Sequence, residues 1–222
     1  MLESLVPLSK AVFVVPVTLL PIINPLSAAP VFLATAGPSD AAIVRLARQV
    51  AINAFFVIAV SLLVGTYVLD FFGISLPVVR IGGGLLVAAA GWRMLHSDGD
   101  DAVRDAAARE ASALAEDEVQ RRSFFPLTFP LMTGPGTVAA SIAIGAQLPS
   151  SPIQYLAHTA VALVGAAITA AAIYLSNRHA AALLRRMGPL GTMVMMRMAA
   201  FILLCIGIDM LWAGGRELST MR

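Results

Sequence analysis

Two short segments carry the residues best suited to grip a small solute. One is Asn24-Pro25-Leu26-Ser27 and the other is Thr133-Gly134-Pro135-Gly136-Thr137, each inside a long apolar run. Proline has no backbone N–H, so within a helix it leaves the carbonyl four residues earlier without a donor. Pro25 would free the carbonyl of Pro21, and Pro135 that of Leu131. A helix restarted after each proline would present N–H groups, near Leu26, Ser27 and Ala28 in one case and near Gly136, Thr137 and Val138 in the other. Such positive ends suit a carboxylate, and the freed carbonyls suit an ammonium group or a cation. Asn24, Ser27, Thr133 and Thr137 add neutral side-chain partners. Neither segment contains Lys, Arg, Asp or Glu. Dipoles of both signs without fixed charge point to a small zwitterionic substrate. A phosphate would be expected to recruit Arg or Lys.

The surrounding sequence defines the solvent. Hydrophobic residues make up 59% of the 222 positions and charged residues 13%, about half the charged share of a soluble domain. Such a chain needs lipid around it. Spanning a bilayer takes about 20 apolar residues in a helix, and six stretches qualify: 11–36, 46–71, 77–95, 124–146, 153–176 and 193–213. The expected fold is an all-α membrane protein of six transmembrane helices. Prolines interrupt the first (Pro16, Pro21, Pro25, Pro30) and the fourth (Pro126, Pro130, Pro135), so these two helices should be discontinuous. An unpaired backbone group facing lipid costs several kcal/mol, so both breaks should face inward.

The halves resemble each other. Leu20-Pro21-Ile22-Ile23-Asn24-Pro25 parallels Phe129-Pro130-Leu131-Met132-Thr133-Gly134-Pro135 with one insertion, and Arg80 opens the third span as Arg197 opens the sixth. Three spans per half is an odd number, so the halves (1–96 and 123–222) should sit as two inverted three-helix repeats, an arrangement common in secondary transporters. Between them, 97–122 carries eight of the thirteen acidic residues and reads as a charged aqueous linker. Ten Lys and Arg residues fall on the linker's side of the six spans and four on the other. The bias places the linker in the cytoplasm and both termini outside.

Three segments together resemble the MarC family of integral membrane proteins: Asn24-Pro25-x-x-x-x-Pro30-x-Phe32; Phe72-Gly73-Ile74-Ser75-Leu76-Pro77 with Arg80-Ile81-Gly82-Gly83-Gly84; and Pro126-Leu127-x-x-Pro130-Leu131-x-x-Gly134-Pro135-Gly136. The resemblance implies a six-span inverted repeat in a bacterial inner membrane, with substrate between the broken first and fourth helices. It also implies glycine- or alanine-like substrates, moved by alternating access and driven by a proton or sodium gradient. Ser27 stands where the family usually has Gly, Ala28 where Asn is frequent, Ala200 at a usual Gly and Asp209 at a usual Gln.

Asp209 is the one acidic residue well inside an expected span. Buried carboxylates are costly there and are functional candidates, so Asp209 is a coupling or proton-carrying candidate, although it lies near the expected end of its span. Arg80 and Arg197 are read as structural boundary residues, with pairing to Asp70 or lipid phosphate, or gating of the pathway, as alternatives, and Arg93 as reaching the surface. The run Met193, Met195, Met196, Met198 is read as adaptable packing, Cys205 as a buried small residue, and Asn53 as a cross-helix hydrogen-bonding residue. Gly82-Gly83-Gly84 lacks the strand and the Lys-Ser or Lys-Thr of a phosphate loop and reads as close helix packing. No disulfide can form within a chain of one cysteine. No cofactor, metal or nucleic-acid motif is present, and no nucleophile elbow or zinc-protease motif argues for an enzyme. Export of another small polar metabolite or drug, a passive channel and lipid handling are the alternative functions. The sequence carries no expectation of oligomeric state.

Overall fold

The computed structural model describes residues 2–96, 123–147 and 152–220; the linker expected at 97–122 lies outside them. Among the described residues the chain is entirely helical. The elements are α1 (Leu2–Ile23), α2 (Ala29–Ala36), α3 (Asp40–Phe72), α4 (Leu76–His96), a π-helix (Ser123–Met132), α5 (Pro135–Gly145), α6 (Pro152–Arg178) and α7 (Ala180–Thr220). Four segments are long and apolar enough to cross a membrane: Asp40–Phe72, Leu76–His96, Leu156–Arg178 and Leu190–Thr220. The apolar pieces Val12–Ile23 and Pro135–Gly145 are shorter. All six apolar stretches of the sequence fall on helix, and both expected interruptions are there.

Local chemistry sets the helix ends. α3 begins at Ser39 in extended backbone, with Asp40 in its first turn against the positive helix end, and stops at Gly73. Gly73 takes φ +66°, which admits glycine without strain, and its N–H returns to the carbonyls of Leu69 and Asp70. α7 bends at Gly188, where φ +68° and ψ 177° leave the helical region inside the element. That bend divides an amphipathic first segment from the long apolar one.

α3, α6, α1 and α5 pack together with the π-helix, while α4 pairs with α7 and also touches α5. The largest core side chains lie in the first group (Leu19, Ile58, Leu62, Leu127, Met132 and Ile173), joined by Phe32 of α2. The α4–α7 seam depends on small residues. It runs antiparallel: a Cβ added to Gly91 would stand 2.6 Å from the Leu204 nitrogen, one added to Gly84 2.8 Å from the Gly207 oxygen, and one added to Gly214 2.9 Å from the Pro77 oxygen. Backbones this close exclude even a methyl group, the packing typical of helices that meet in lipid. Gly83 and Gly84 therefore do pack closely, Gly83 on Ala139 of α5, whereas Gly82 faces open space.

Arg80 bonds Glu217 across the far end of this seam, which replaces the Asp70 or lipid partner expected for Arg80. Cys205 is exposed on the outer face of α7 rather than buried. Its neighbours Ile202, Ile208 and Trp212 are exposed with it, so that face is the one turned to the apolar solvent.

Candidate functional site

The two interruptions have different constructions. α1 ends because Asn24 enters the left-handed region at φ +44°, which Asn tolerates better than most residues, and because Pro25 follows. The chain then turns through Leu26 and Ser27 before α2 begins at Ala29. Both the N–H and the Oγ of Ser27 donate to the Asn24 carbonyl, at 3.1 and 2.9 Å. The expected helix start near Leu26 is thus displaced to Ala29, because Ser27 folds the intervening residues into a turn and spends its own donors on it.

The second interruption begins with a wide helix. With Pro126 and Pro130 in its interior, Ser123–Met132 takes the π form, a form scarce in proteins and frequent at functional sites. Hydroxyls five residues on bond back to its carbonyls: Thr133 Oγ1 to Thr128 O at 2.9 Å and Thr137 Oγ1 to Met132 O at 3.4 Å, while the Thr133 N–H also donates to Thr128 O at 2.7 Å. Gly134 is extended, and Pro135 starts α5 with no side-chain cap on its first N–H groups. Pro suits that position because its missing N–H would be unpaired there anyway.

Both interruptions line one cavity of about 560 Å³, within the usual size of a small-molecule site. Of the sequence-derived candidates, Asn24, Ser27, Gly134, Pro135, Gly136 and Thr137 line it. Pro25 and Thr133 are buried beside it and Leu26 is half-buried, but none of the three reaches its wall. Asp209 does not line it either, and its side chain is exposed on α7. Nor does Asp209 lie near a helix end, since α7 continues eleven residues further, to Thr220.

Among the lining residues that were not candidates are Arg93, Met193, Met196 and Arg197, each read from the sequence as having another role. The cavity extends from the level of Val87, midway along α4, to Arg93, about 9 Å further at about 1.5 Å per residue. The site is therefore not free of fixed charge. Two arginine residues contribute to its wall, neither with an ion-pair partner among the described residues. The expectation failed because both arginines lie outside the broken segments and reach the cavity only through the pairing of α4 with α7.

Other polar groups support the interruptions. Asn53 Nδ2 donates to Ser123 Oγ at 3.3 Å, tying α3 to the start of the π-helix. Asn177, fully buried on α6, places Nδ2 at 3.7 Å from Met132 Sδ. The side-chain Nδ2 of Asn24 is buried with no hydrogen-bond partner. Among the described residues no cluster of His, Cys, Asp or Glu could hold a metal.

The model of the MarC family integral membrane proteins matches residues 9–219. The chain belongs to the MarC family. It is 33% identical over 215 residues to inner membrane protein MarC of Escherichia coli O1:K1 / APEC, covering 95% of this chain and 96% of that one. The same identity and coverage hold for inner membrane protein MarC of Escherichia coli strain UTI89 / UPEC and of strain K12. No solved structure matches. As a member of the MarC family the chain is an integral, multi-pass membrane protein, and the cavity between its two interrupted helices lies within that framework.

Proposed function

We propose that this MarC-family protein is a secondary transporter of small neutral amino acids of glycine or alanine size, holding the solute between its broken helices and moving it by alternating access. The observation that carries this reading is the meeting of the two interruptions at one cavity. Irregular backbone survives at membrane depth only beside protein or water, and transporters place solutes where discontinuous helices face each other.

The pattern of helix contacts favours two inverted three-helix repeats. Let α1 with α2 be the first span, α3 the second, α4 the third, the π-helix with α5 the fourth, α6 the fifth and α7 the sixth. The first packs on the fifth as the fourth packs on the second, and the third touches the fourth as the sixth touches the first. Exchanging the halves preserves these stronger contacts, while the lesser α2–α3 and α6–α7 contacts have no counterpart of similar extent. In this reading the cavity extends toward the side of the 97–122 linker, which the Arg and Lys bias assigns to the cytoplasm. The arrangement is then inward-facing, in an inner membrane like that named for the Escherichia coli relatives. A proton or sodium ion would be the coupling ion, and Asp209, exposed and outside the cavity wall, would not carry it at the solute site.

Purified protein in liposomes, with labelled alanine or glycine and an imposed proton or sodium gradient, should show saturable flux. No saturable flux of either amino acid under either gradient would remove the proposal.

A further inference from the structure

The polar groups of the cavity are mostly donors. Asn24 lines it, although its Nδ2 is buried away from the open space and has no acceptor in this arrangement. α5 begins at its wall, and the N–H groups of Gly136 and Thr137 have no acceptor within the helix and no side-chain cap. Arg93 and Arg197 contribute to its wall. The acceptors are neutral: the Leu131 carbonyl, which Pro135 leaves without its helical donor, and the side-chain oxygens of Asn24, Ser27 and Thr137. The Asn24 carbonyl already takes two hydrogen bonds from Ser27, and the Met132 carbonyl takes one from Thr137. Among the described residues no Asp or Glu lines it. An ammonium group would find neutral oxygens partly in use and two arginines of its own sign. A carboxylate would find a helix start and two arginines. Apolar walls from Val31, Val87 and Leu203 leave room for a short aliphatic tail.

We infer that the cavity is a receptor for small monocarboxylates that reads the carboxylate and leaves the amino group unread, so that amine-free short-chain carboxylates bind it as amino acids do. This deepens the proposed function by naming what part of the solute is recognised, and it rests on the same cavity. Phosphate is disfavoured because it has no aliphatic part to cover the apolar walls, as a short-chain carboxylate does.

The test is binding to the full-length protein in detergent, read by calorimetry, with sodium propionate, sodium lactate, alanine, ethylamine hydrochloride and sodium phosphate as probes. Propionate and lactate should bind with Kd values within about tenfold of that of alanine. Ethylamine should not bind, and phosphate should bind more weakly than propionate. A hydrogen bond to a charged group is worth about a tenfold or greater change in affinity, so Arg93→Gln and Arg197→Gln should each weaken propionate binding about tenfold. Both side chains are exposed, and melting of the unliganded variants should match the parent. Ethylamine binding without propionate binding, phosphate ahead of propionate, or propionate affinity unchanged in both arginine variants would each overturn the inference. Propionate binding without alanine flux would support the receptor and remove only amino-acid transport. Alanine flux that propionate neither inhibits nor accompanies by binding would remove only this inference.

Discussion

A methyl group at Gly136 tests how α5 is seated against α4 at the cavity wall. The Cβ of Gly136→Ala would stand 2.1 Å from Val87 Cγ2, with the next atoms at 3.6 Å and beyond. Carbon atoms rest at about 3.5–4.0 Å, so the shortfall is about 1.4 Å or more against one methyl group. Rotating Val87 would relieve it, but valine in a helix strongly prefers a single rotamer, and parting the helices would loosen the whole contact. Overpacking of this kind costs about 1–3 kcal/mol, and the better helix propensity of alanine returns at most about 1 kcal/mol. The expected net loss is about 1–2 kcal/mol, or about 2–8 °C in Tm at about 2–4 °C per kcal/mol. Val87→Ala removes the obstructing atom and by itself costs about 1.6 kcal/mol of buried apolar surface. In that background Gly136→Ala should become neutral or stabilising. Thermal unfolding of the four proteins in detergent, followed by tryptophan fluorescence, closes the cycle. Equal shifts from Gly136→Ala in the two backgrounds would refute the seating described.

Three further outcomes follow from the same geometry. Gly207→Ala would put a Cβ 2.3 Å from the Ala88 nitrogen whereas Gly215→Ala meets nothing within 4 Å; the first should lower Tm by several degrees, about 1–3 kcal/mol of overpacking, and the second should leave it unchanged or raise it. Asn24→Gly should keep or improve stability, because glycine accepts φ +44°, yet should weaken alanine binding about tenfold or more through loss of its side-chain amide; unaltered binding in calorimetry would count against Asn24 as a ligand contact. Arg80→Ala should cost no more than about 1 kcal/mol, as partly exposed pairs do, and exchange of the two residues (Arg80→Glu with Glu217→Arg) should restore the parent Tm.

Much of the helical layout was legible because lipid imposes strict rules. Apolar length marked the helices, and Pro25 and Pro135 marked the interruptions, since a missing N–H acts locally whatever the tertiary surroundings. Six of the nine residues expected at the solute site reach the cavity for that reason. Leu26 and Thr133 fail for local causes that hydropathy does not encode: a turn closed by Ser27 moves the helix start to Ala29, and a π-helix changes the register ahead of Thr133. Arg93, Arg197, Met193 and Met196 were misjudged for a different cause. Their part in the wall is created by the α4–α7 seam, and nothing in their own segments announces it. A hint was present in the glycines themselves. Gly84 and Gly91 recur seven residues apart, as do Gly207 and Gly214 with Ala200 before them, and matching periods of small residues can mark two helices that pair. Asp209 stands eleven residues before the end of its helix, because the helix continues to Thr220 past the apolar run that stops near Ala213.

The central claim is that one solute touches both interruptions at once. In protein lacking its native thiol (Cys205→Ala), single cysteines at Ser27 and at Gly134 sample the two walls, and a small alkylating reagent reports access to each. Alanine should slow alkylation at both positions with the same half-maximal concentration. Protection at one position alone, or at neither, would contradict the account.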